Sequence, residues 1–310
     1  MKISGITYVS RKTHTGSKVF VILLVLILIV AIATLVYSSF IGWNLTHPSK
    51  KALTIPAFAS GNSPVYQSIS FLDKSKSITI SGWYFKANSS AKAIILSHGY
   101  GMNRQQFSQK MITSLISKGF NVLTFDFRNS GESGGNLTSV GYYEKDDLLG
   151  AIQYVKSQNI KHIVLLGFSM GASTSLIAAA QSPDVDGVIA DSPFANLDDY
   201  LNTQLPVWSH APEFPFNQII LTSMKLLTGI DASKVSPKDS IVKIAPRPIL
   251  LIHSIDDKTI SIENSRALKE IAGSSAELWE TSGVDHVGSY DAFPTEYMSR
   301  LYTFLDKACA

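Results

Sequence analysis

The stretch Gly167-Phe168-Ser169-Met170-Gly171 stands between two apolar segments and decides how this chain folds. It follows the apolar run IVLL at 163–166, which is typical of a buried strand, and it precedes 172–180, which is typical of a packed helix. A serine on so sharp a turn needs neighbours without bulk, and the two glycines let strand and helix pass close together. The free N–H groups at the start of the helix then point toward Ser169.

A strand, a G-x-S-x-G turn and a helix in this order are typical of the nucleophile elbow of serine hydrolases. An accidental match is the alternative, because small residues are common in turns, but the flanking strand and helix favour the elbow. Ser169 is therefore the candidate nucleophile. The backbone N–H of Met170, directly after it, is a candidate donor to the oxyanion that forms in acyl transfer.

From residue 65 onward, predicted strands alternate with predicted helices. The strands are expected at 65–71, 78–85, 93–97, 121–126, 162–168, 187–191, 248–253 and 277–281, and helices at 103–118, 142–157, 262–272 and 290–307 as well as after the elbow. Continuous apolar strands that alternate with helices indicate a mostly parallel sheet covered on both faces. The sequence thus predicts an α/β fold with eight strands, of which the first two form an antiparallel pair.

A serine nucleophile needs a general base, and that base needs a carboxylate to orient it. In this fold class the three follow in the chain order serine, acid, histidine. His286 comes after the last predicted strand and before the final helix, so it is the candidate base. Asp256 and Asp257 directly follow the strand at 248–253 and are candidate acids; Asp191, after the preceding strand, is a rarer alternative.

The acid loop resembles that of the α/β-hydrolase family. HSIDDKTI at 253–260 is similar to the H-G-x-x-D-x-x-V that many members carry at this place. The resemblance implies Asp257 rather than Asp256 as the triad acid, with Ser254 in place of the usual glycine. It extends over about residues 65–306, and the chain resembles membrane-anchored bacterial members labelled serine aminopeptidase-like or prolyl-oligopeptidase-like.

Two further loops carry the same resemblance. HGYG at 98–101 is similar to the oxyanion loop of the family, which implies the backbone N–H of Tyr100 as the second oxyanion donor. DFRNSGES at 126–133 is similar to D-x-R-G-x-G-x-S, which implies that Asp126 and Arg128 support the oxyanion loop.

The alternation of strands and helices breaks at about 196–244. This segment contains four prolines and the aromatic residues Trp208, Phe214 and Phe216, with one predicted helix at 217–227. We interpret it as a small lid over the active site, because loops at this edge of such a sheet carry function. A packing excursion that only closes the domain is the alternative. The whole hydrolase domain is expected at 65–310.

The N-terminal region predicts a membrane anchor. Residues 19–41 are uncharged and almost entirely apolar, long enough for a transmembrane helix and too long for the core of a cleavable signal peptide. Residues 1–18 carry four basic residues and no acid, which favours a cytoplasmic N-terminus, and 42–64 are expected to form a linker. The domain is therefore expected outside the cell on a single-pass anchor; a cleaved signal and a buried helix are the alternatives.

Composition excludes several other classes of protein. Four of the 27 basic residues lie in the first 18 positions, and the remaining 23 face 24 acidic residues, so no basic surface for nucleic acid is implied. Cys309 is the single cysteine, which rules out an intrachain disulfide and a cysteine-based metal site. Neither a metal nor an organic cofactor is expected.

Taken together, the sequence predicts a membrane-tethered serine hydrolase with the triad Ser169, Asp257 and His286. Cleavage of an ester or thioester, as in carboxylesterases, is favoured, since the aromatic lid suits an apolar acyl or aryl group. A peptidase acting on a peptide substrate and a non-catalytic binding protein of the same fold are the alternatives.

Overall fold

The computed structural model describes residues 15–54 and 64–310. Most of the predicted basic tail (1–14) and part of the predicted linker (55–63) lie outside the described residues. Within them, one long N-terminal helix leads to a domain built around a single sheet.

The strands of this sheet match the predicted ones within one residue at most ends. They are β1 (Tyr66–Leu72), β2 (Thr79–Phe85), β3 (Lys92–Ser97), β4 (Asn121–Phe125), β5 (His162–Phe168), β6 (Gly187–Asp191), β7 (Ile249–Ser254) and β8 (Ala276–Thr281). They lie in the order β1-β2-β4-β3-β5-β6-β7-β8. β2 pairs antiparallel with β1 and β4, and the remaining pairs are parallel. The predicted eight-stranded, mostly parallel sheet is confirmed.

The structure describes ten α-helices in residues 15–54 and 64–310. They are α1 (Thr15–Thr46), α2 (Gln109–Ser117), α3 (Glu144–Ser157), α4 (Met170–Gln181), α5 (Leu197–Ser209), α6 (Glu213–Thr228), α7 (Pro237–Ile241), α8 (Glu263–Ala272), α9 (Ser289–Ala292) and α10 (Pro294–Ala308). Alternate residues of the central strands face opposite helix layers. Ile95 and Leu165 pack with α3, α4, α7 and α8, whereas Leu96 and Leu166 pack with α2 and α10. Helices therefore cover both faces, as predicted.

Two predicted helices are each divided. Asn103 caps a short 3-10 turn with its side chain, and Ser108 caps α2 in the same way. Phe107 between them is extended, so one helix cannot run through 103–118. The predicted final helix is also two helices, because Pro294, which has no N–H to donate, begins α10.

The crossing of β5, α4 and β3 leaves no space for a side chain at the two glycines of the elbow. A Cβ on Gly171 would lie 2.1 Å from the carbonyl oxygen of Ser97. A Cβ on Gly167 would lie 2.2 Å from the carbonyl oxygen of Gly171. This close approach is the steric requirement that the G-x-S-x-G spacing predicts.

α1 extends beyond the predicted span at 19–41. The helix ends at Thr46, so residues 42–46, expected to begin the linker, are helical. The carbonyl oxygen of Leu45 accepts a hydrogen bond from the Tyr100 hydroxyl at 2.8 Å, and that of Thr46 accepts one from the N–H of Thr138 at 2.8 Å. The last carbonyls of a helix lack partners within it, and here the domain supplies them.

The earlier part of α1 is exposed. Its large apolar side chains between residues 19 and 36 face outward, and the helix is long and apolar enough to cross a membrane. Such an apolar surface is unfavourable in water and favourable in a bilayer.

The segment predicted as a lid contains α5, α6, a 3-10 turn and α7, between β6 and β7. The helix predicted at 217–227 is confirmed as the larger part of α6. The sequence does not predict α5, because Pro206 indicates a helix break, yet the proline lies inside this helix. Asn196 caps its start by accepting hydrogen bonds from the N–H groups of Asp198 and Asp199.

Replacing Gly171 with alanine should destabilise the domain severely. The new methyl group would overlap the Ser97 carbonyl, and the backbone cannot move aside without separating β3 from α4, so we expect a loss of about 3 kcal/mol or more. Gly99→Ala is the matched control, since its Cβ would meet no atom closer than 3.5 Å. Thermal unfolding of both variants in detergent measures the difference, and equal melting temperatures would contradict the prediction.

Candidate active site

Ser169 lies between the end of β5 and the first residue of α4 in a strained backbone conformation. Its φ is 55° and its ψ is −117°, in a region that residues with a Cβ rarely adopt. The N–H of Ser169 donates to the carbonyl oxygen of Asp191 at 2.8 Å, which ties the turn to β6. Strain of about 1–3 kcal/mol at one residue persists only where the surrounding structure enforces it, and such residues cluster at functional sites.

Three predicted side chains form one hydrogen-bonded chain. Nε2 of His286 lies 2.8 Å from Oγ of Ser169, and Nδ1 lies 2.6 Å from Oδ2 of Asp257. A carboxylate only accepts, so Nδ1 carries the proton and Nε2 is free to accept one from the serine. This is the arrangement in which an imidazole can act as general base toward a hydroxyl.

The geometry separates the two candidate acids of the 253–260 loop. Oδ1 of Asp257 accepts from the N–H groups of Thr259 and Ile260 at 2.8 and 2.9 Å, which aims its other oxygen at His286. Asp256 is exposed and accepts from the N–H of Gly283 at 2.7 Å. The side chain next to His286 is therefore Asp257.

His253 also contacts Asp257, a role that sequence reasoning missed. His253 lies at the end of the strand predicted at 248–253; it is the fifth residue of β7 and is fully buried. Its Nε2 lies 2.8 Å from the carbonyl oxygen of Ile260 and 3.2 Å from Oδ2 of Asp257, and its Nδ1 lies 2.7 Å from Oγ of Ser265. The signal available in the sequence was its place at a strand end, four residues before the acid.

Asp257 and Asp191 are both buried near His286, and their pKa values move in opposite directions. Burial alone would raise the pKa of Asp257, but hydrogen bonds from His253 and His286, with the charge of His286, lower it overall. Burial raises the pKa of Asp191 to about 6, because hydrogen bonds from Ser192 and Tyr297 offset it only in part.

The carboxylate of Asp191 is held by two hydroxyl groups. Its two oxygens accept from the hydroxyl of Ser192 at 2.9 Å and from that of Tyr297 at 3.0 Å. Among the hydrogen bonds of the described residues, none joins Asp191 to His286, so the geometry does not favour the alternative that placed the acid at Asp191.

The residues of the two predicted oxyanion donors lie close to Ser169. Met170 is the first residue of α4, so its N–H has no acceptor within the helix. The loop of Tyr100 packs against the serine, since a Cβ on Gly99 would lie 3.5 Å from that of Ser169. Both Tyr100 and Met170 line the cavity into which Ser169 opens. Gln106 holds the loop by accepting from the N–H of Gly99 at 2.7 Å.

His98 supports this loop as a neutral imidazole. Its Nε2 accepts from the N–H of Phe127 at 2.9 Å, so Nδ1 carries the proton that is donated to the carbonyl oxygen of Gly99 at 2.7 Å. Complete burial lowers the pKa of His98 to about 4, which keeps the ring uncharged at neutral pH.

The D-x-R motif divides into two roles. Asp126 accepts from the N–H of Arg104 at 2.8 Å and so supports the turn after the oxyanion loop, as expected. Arg128 instead forms ion pairs with Asp147 at 2.7 Å and Asp73 at 3.5 Å. The expectation that Arg128 supports the oxyanion loop is wrong, because two buried carboxylates on α3 and after β1 hold its guanidinium.

Ser169 and His286 open into an apolar cavity of about 540 Å³. Helices α1, α5 and α6 form much of its wall, through Leu45, Thr46, Leu197, Tyr200, Leu201, Trp208 and Met224. Its size suits a small ligand that is largely apolar. Within residues 15–54 and 64–310, no group of three or more His, Cys, Asp or Glu side chains lies together as a metal site.

Comparisons with known proteins agree with this fold. A family model described as alpha/beta hydrolase fold matches residues 92–218. The uncharacterized protein YqkD of Bacillus subtilis is 35% identical over 232 residues, a match covering 73% of this chain and 75% of that protein. Lysophosphatidylserine lipase ABHD12 of Danio rerio is 26% identical over 206 residues, covering 63% of this chain and 51% of that protein.

Solved structures show the same similarity. The esterase Pf2001 of Pyrococcus furiosus has a TM-score of 0.65 and 26% sequence identity, and the match covers 83% of this chain and 98% of that one. An acylaminoacyl peptidase of Pyrococcus horikoshii has a TM-score of 0.62 at 19% identity, covering 79% of this chain and 41% of that one, which is a likeness of fold alone.

The pKa of Asp191 predicts how Asp191→Asn changes the pH dependence of stability. As pH rises from about 4 to 6, the unfolded state loses the Asp191 proton first while the folded state keeps it, so this residue lowers the stability of the wild type. We expect the stability of the variant relative to wild type to rise by about 2–3 kcal/mol between pH 4 and pH 7. Denaturant unfolding in detergent at both pH values measures it.

Asp256→Asn is the control, because this carboxylate is exposed, whereas that of Asp191 is buried. Its difference from wild type should vary little over the same range. A stability difference for Asp191→Asn that is equal at both pH values would contradict the raised pKa.

Proposed function

This chain belongs to the α/β-hydrolase superfamily, and we propose that it is a serine hydrolase that cleaves an acyl ester or thioester. The observation that carries the proposal is the hydrogen-bonded chain from Ser169 through His286 to Asp257, with distances of 2.8 and 2.6 Å. The strained backbone of the serine and the depressed pKa of the aspartate add to it.

In the proposed reaction, Oγ of Ser169 attacks the acyl carbonyl carbon while its proton passes to Nε2 of His286. The imidazolium is stabilised by Asp257, and the N–H groups of Tyr100 and Met170 donate to the oxyanion. Collapse of this intermediate breaks the bond to the leaving group, which takes the proton from His286. Water then attacks the acyl-enzyme with His286 as base, and release of the acid restores the serine.

Three observations favour an ester over a peptide substrate. The cavity beside Ser169 is lined mainly by apolar side chains, which suits an acyl chain. A solved structure at 26% identity is an esterase, and curated relatives at 26–28% identity are named lipases. The peptidase among the solved structures shares only the fold.

We further propose that α1 anchors the enzyme in the cell membrane with the domain on the outer side. The helix is apolar over more than the length needed to cross a bilayer. The basic residues before it favour a cytoplasmic N-terminus. The proposed partners are thus the membrane and a small acyl substrate.

Ser169→Ala should lower ester hydrolysis at least about 1,000-fold without loss of folding, because the variant keeps the fold but lacks the nucleophile. The measurement uses the full chain in detergent with nitrophenyl esters from acetyl to decanoyl and with aminoacyl nitroanilides. Reaction with a fluorophosphonate probe should label wild type and not the variant. A folded wild type that neither reacts with the probe nor hydrolyses any of these substrates would favour the non-catalytic alternative, and turnover of the anilides alone would favour the peptidase.

Asp257→Asn should lower kcat by about 10⁴-fold, because an amide in that place no longer fixes the tautomer of His286 or stabilises its cation. Asp256→Asn is the matched control at the neighbouring position and should stay within about threefold of wild type. The steady-state rate with a short-chain ester decides between them. Equal losses in both variants would contradict the assignment of the acid.

A further inference from the structure

The end of α5 and the start of α6 lie against α1 near Tyr37. The Tyr37 hydroxyl donates to the carbonyl oxygen of Ser209 at 2.5 Å, and the Tyr37 ring meets that of Phe216 edge-on at 6.1 Å. Further along, a Cβ on Gly42 would lie 3.2 Å from the carbonyl oxygen of Ile220. The later residue of α1 contacts the later residue of α6, so the two helices run in the same direction. The start of α6 is therefore the end that lies nearer the apolar part of α1.

The level of Tyr37 is where α1 would leave a bilayer. About 20 residues of helix cross the hydrocarbon core, and counted from Val19 these end at Ser38. Tyrosine and tryptophan are enriched at the membrane interface, where the ring is in lipid and the polar atom near water. The segment 207–214, which we call the lid corner, is therefore at the interface level.

The lid corner exposes large apolar side chains at this level. Val207 is 62% exposed, Trp208 41% and Phe214 78%. Contiguous apolar exposure is unfavourable in water and marks a surface that meets a protein or a membrane. Because α1 packs directly against the same helices, a bilayer that holds α1 would lie next to this surface.

Trp208 also connects the lid corner to the catalytic cavity. It lines the cavity together with Tyr200 and Leu201 of the same helix, and its ring lies edge-on to that of Tyr200 at 5.9 Å. The one side chain is thus both part of the exposed corner and part of the cavity wall that leads to Ser169.

We propose that the lid corner is inserted in the interface of the bilayer that holds α1, and that a lipid acyl ester passes from this bilayer into the cavity beside Trp208. The proposal rests on the proposed hydrolase activity for its substrate and on the proposed anchor for its membrane. Whether the lid corner is inserted in the bilayer, however, can be measured without catalysis.

The other end of α6 provides an internal control. Leu226 is 79% exposed, as much as Phe214, which is extended just before the regular part of α6. Leu226 lies about 16 Å along the helix from Pro215. Because α6 runs parallel to α1, Leu226 lies on the side away from the bilayer. Neither residue lines the cavity.

The position of the lid corner is tested with full-length protein in phosphatidylcholine vesicles. Phe214→Cys and Leu226→Cys are each labelled with an environment-sensitive fluorophore, since the native Cys309 is buried. We expect blue-shifted emission that spin-labelled lipids quench at position 214 and water-like, unquenched emission at position 226. Water-like emission at 214, or equal quenching at both positions, would overturn the proposal.

The route of the substrate is tested with Phe214→Asp and Leu226→Asp in the same vesicles. For Phe214→Asp we expect about tenfold slower hydrolysis of a long-chain ester within the bilayer and a rate within about twofold for a water-soluble short-chain ester. Leu226→Asp should leave both rates within about twofold. Equal effects of the two variants on the long-chain ester, or an equal loss of Phe214→Asp on both esters, would overturn the route.

The failures of the two proposals are distinguishable. If wild type hydrolyses neither ester while Ser169→Ala behaves identically, the proposed function fails, and the fluorescence still decides where the lid corner lies. If wild type hydrolyses the short-chain ester but never the long-chain ester in vesicles, the proposed function stands and the lipid route fails.

Discussion

The contact between Gly171 and the carbonyl of Ser97 brings the start of α4 against the end of β3, and the groups around Ser169 depend on it. Because α4 begins there, the free N–H of Met170 lies beside the serine. Because β3 ends there, the following loop with Tyr100 passes close to the same serine. A side chain at Gly171 would separate these two elements, and with them Met170 and the loop of Tyr100.

The two buried carboxylates near His286 differ in how readily they ionise, because their hydrogen-bond partners differ. Asp257 accepts from two backbone N–H groups and contacts two imidazoles, so its ionised form is stabilised despite burial. Asp191 accepts from two hydroxyls and is otherwise enclosed, so burial dominates and its pKa rises. The same residue type thus supplies a permanent anion next to the histidine at one position and a carboxyl that resists ionisation at the other.

The last residues of α1 form part of the site, although the earlier part of this helix is the exposed apolar segment of the chain. Leu45 and Thr46 line the cavity, and their carbonyl oxygens accept hydrogen bonds from Tyr100 and Thr138. The segment that follows continues the contact, with the carbonyl of Pro48 accepting from Asn129 at 3.2 Å. This helix therefore contacts the loop of Tyr100 directly, and it also packs against α6.

The sequence by itself determined the sheet, the elbow and the identity of the serine and histidine candidates. These follow from local patterns: the periodicity of apolar residues, the spacing of the two glycines, and the order along the chain of the residues that follow the strands. It also offered Asp257 through its resemblance to a family, while the residues alone left Asp256 open. Only the tertiary structure decided which carboxylate faces His286, that His253 contacts Asp257 and that Arg128 turns to Asp147. It also decided that α1 continues to Thr46 and walls the cavity. Each of these is a contact between residues distant in sequence, whose formation depends on packing that no local pattern encodes.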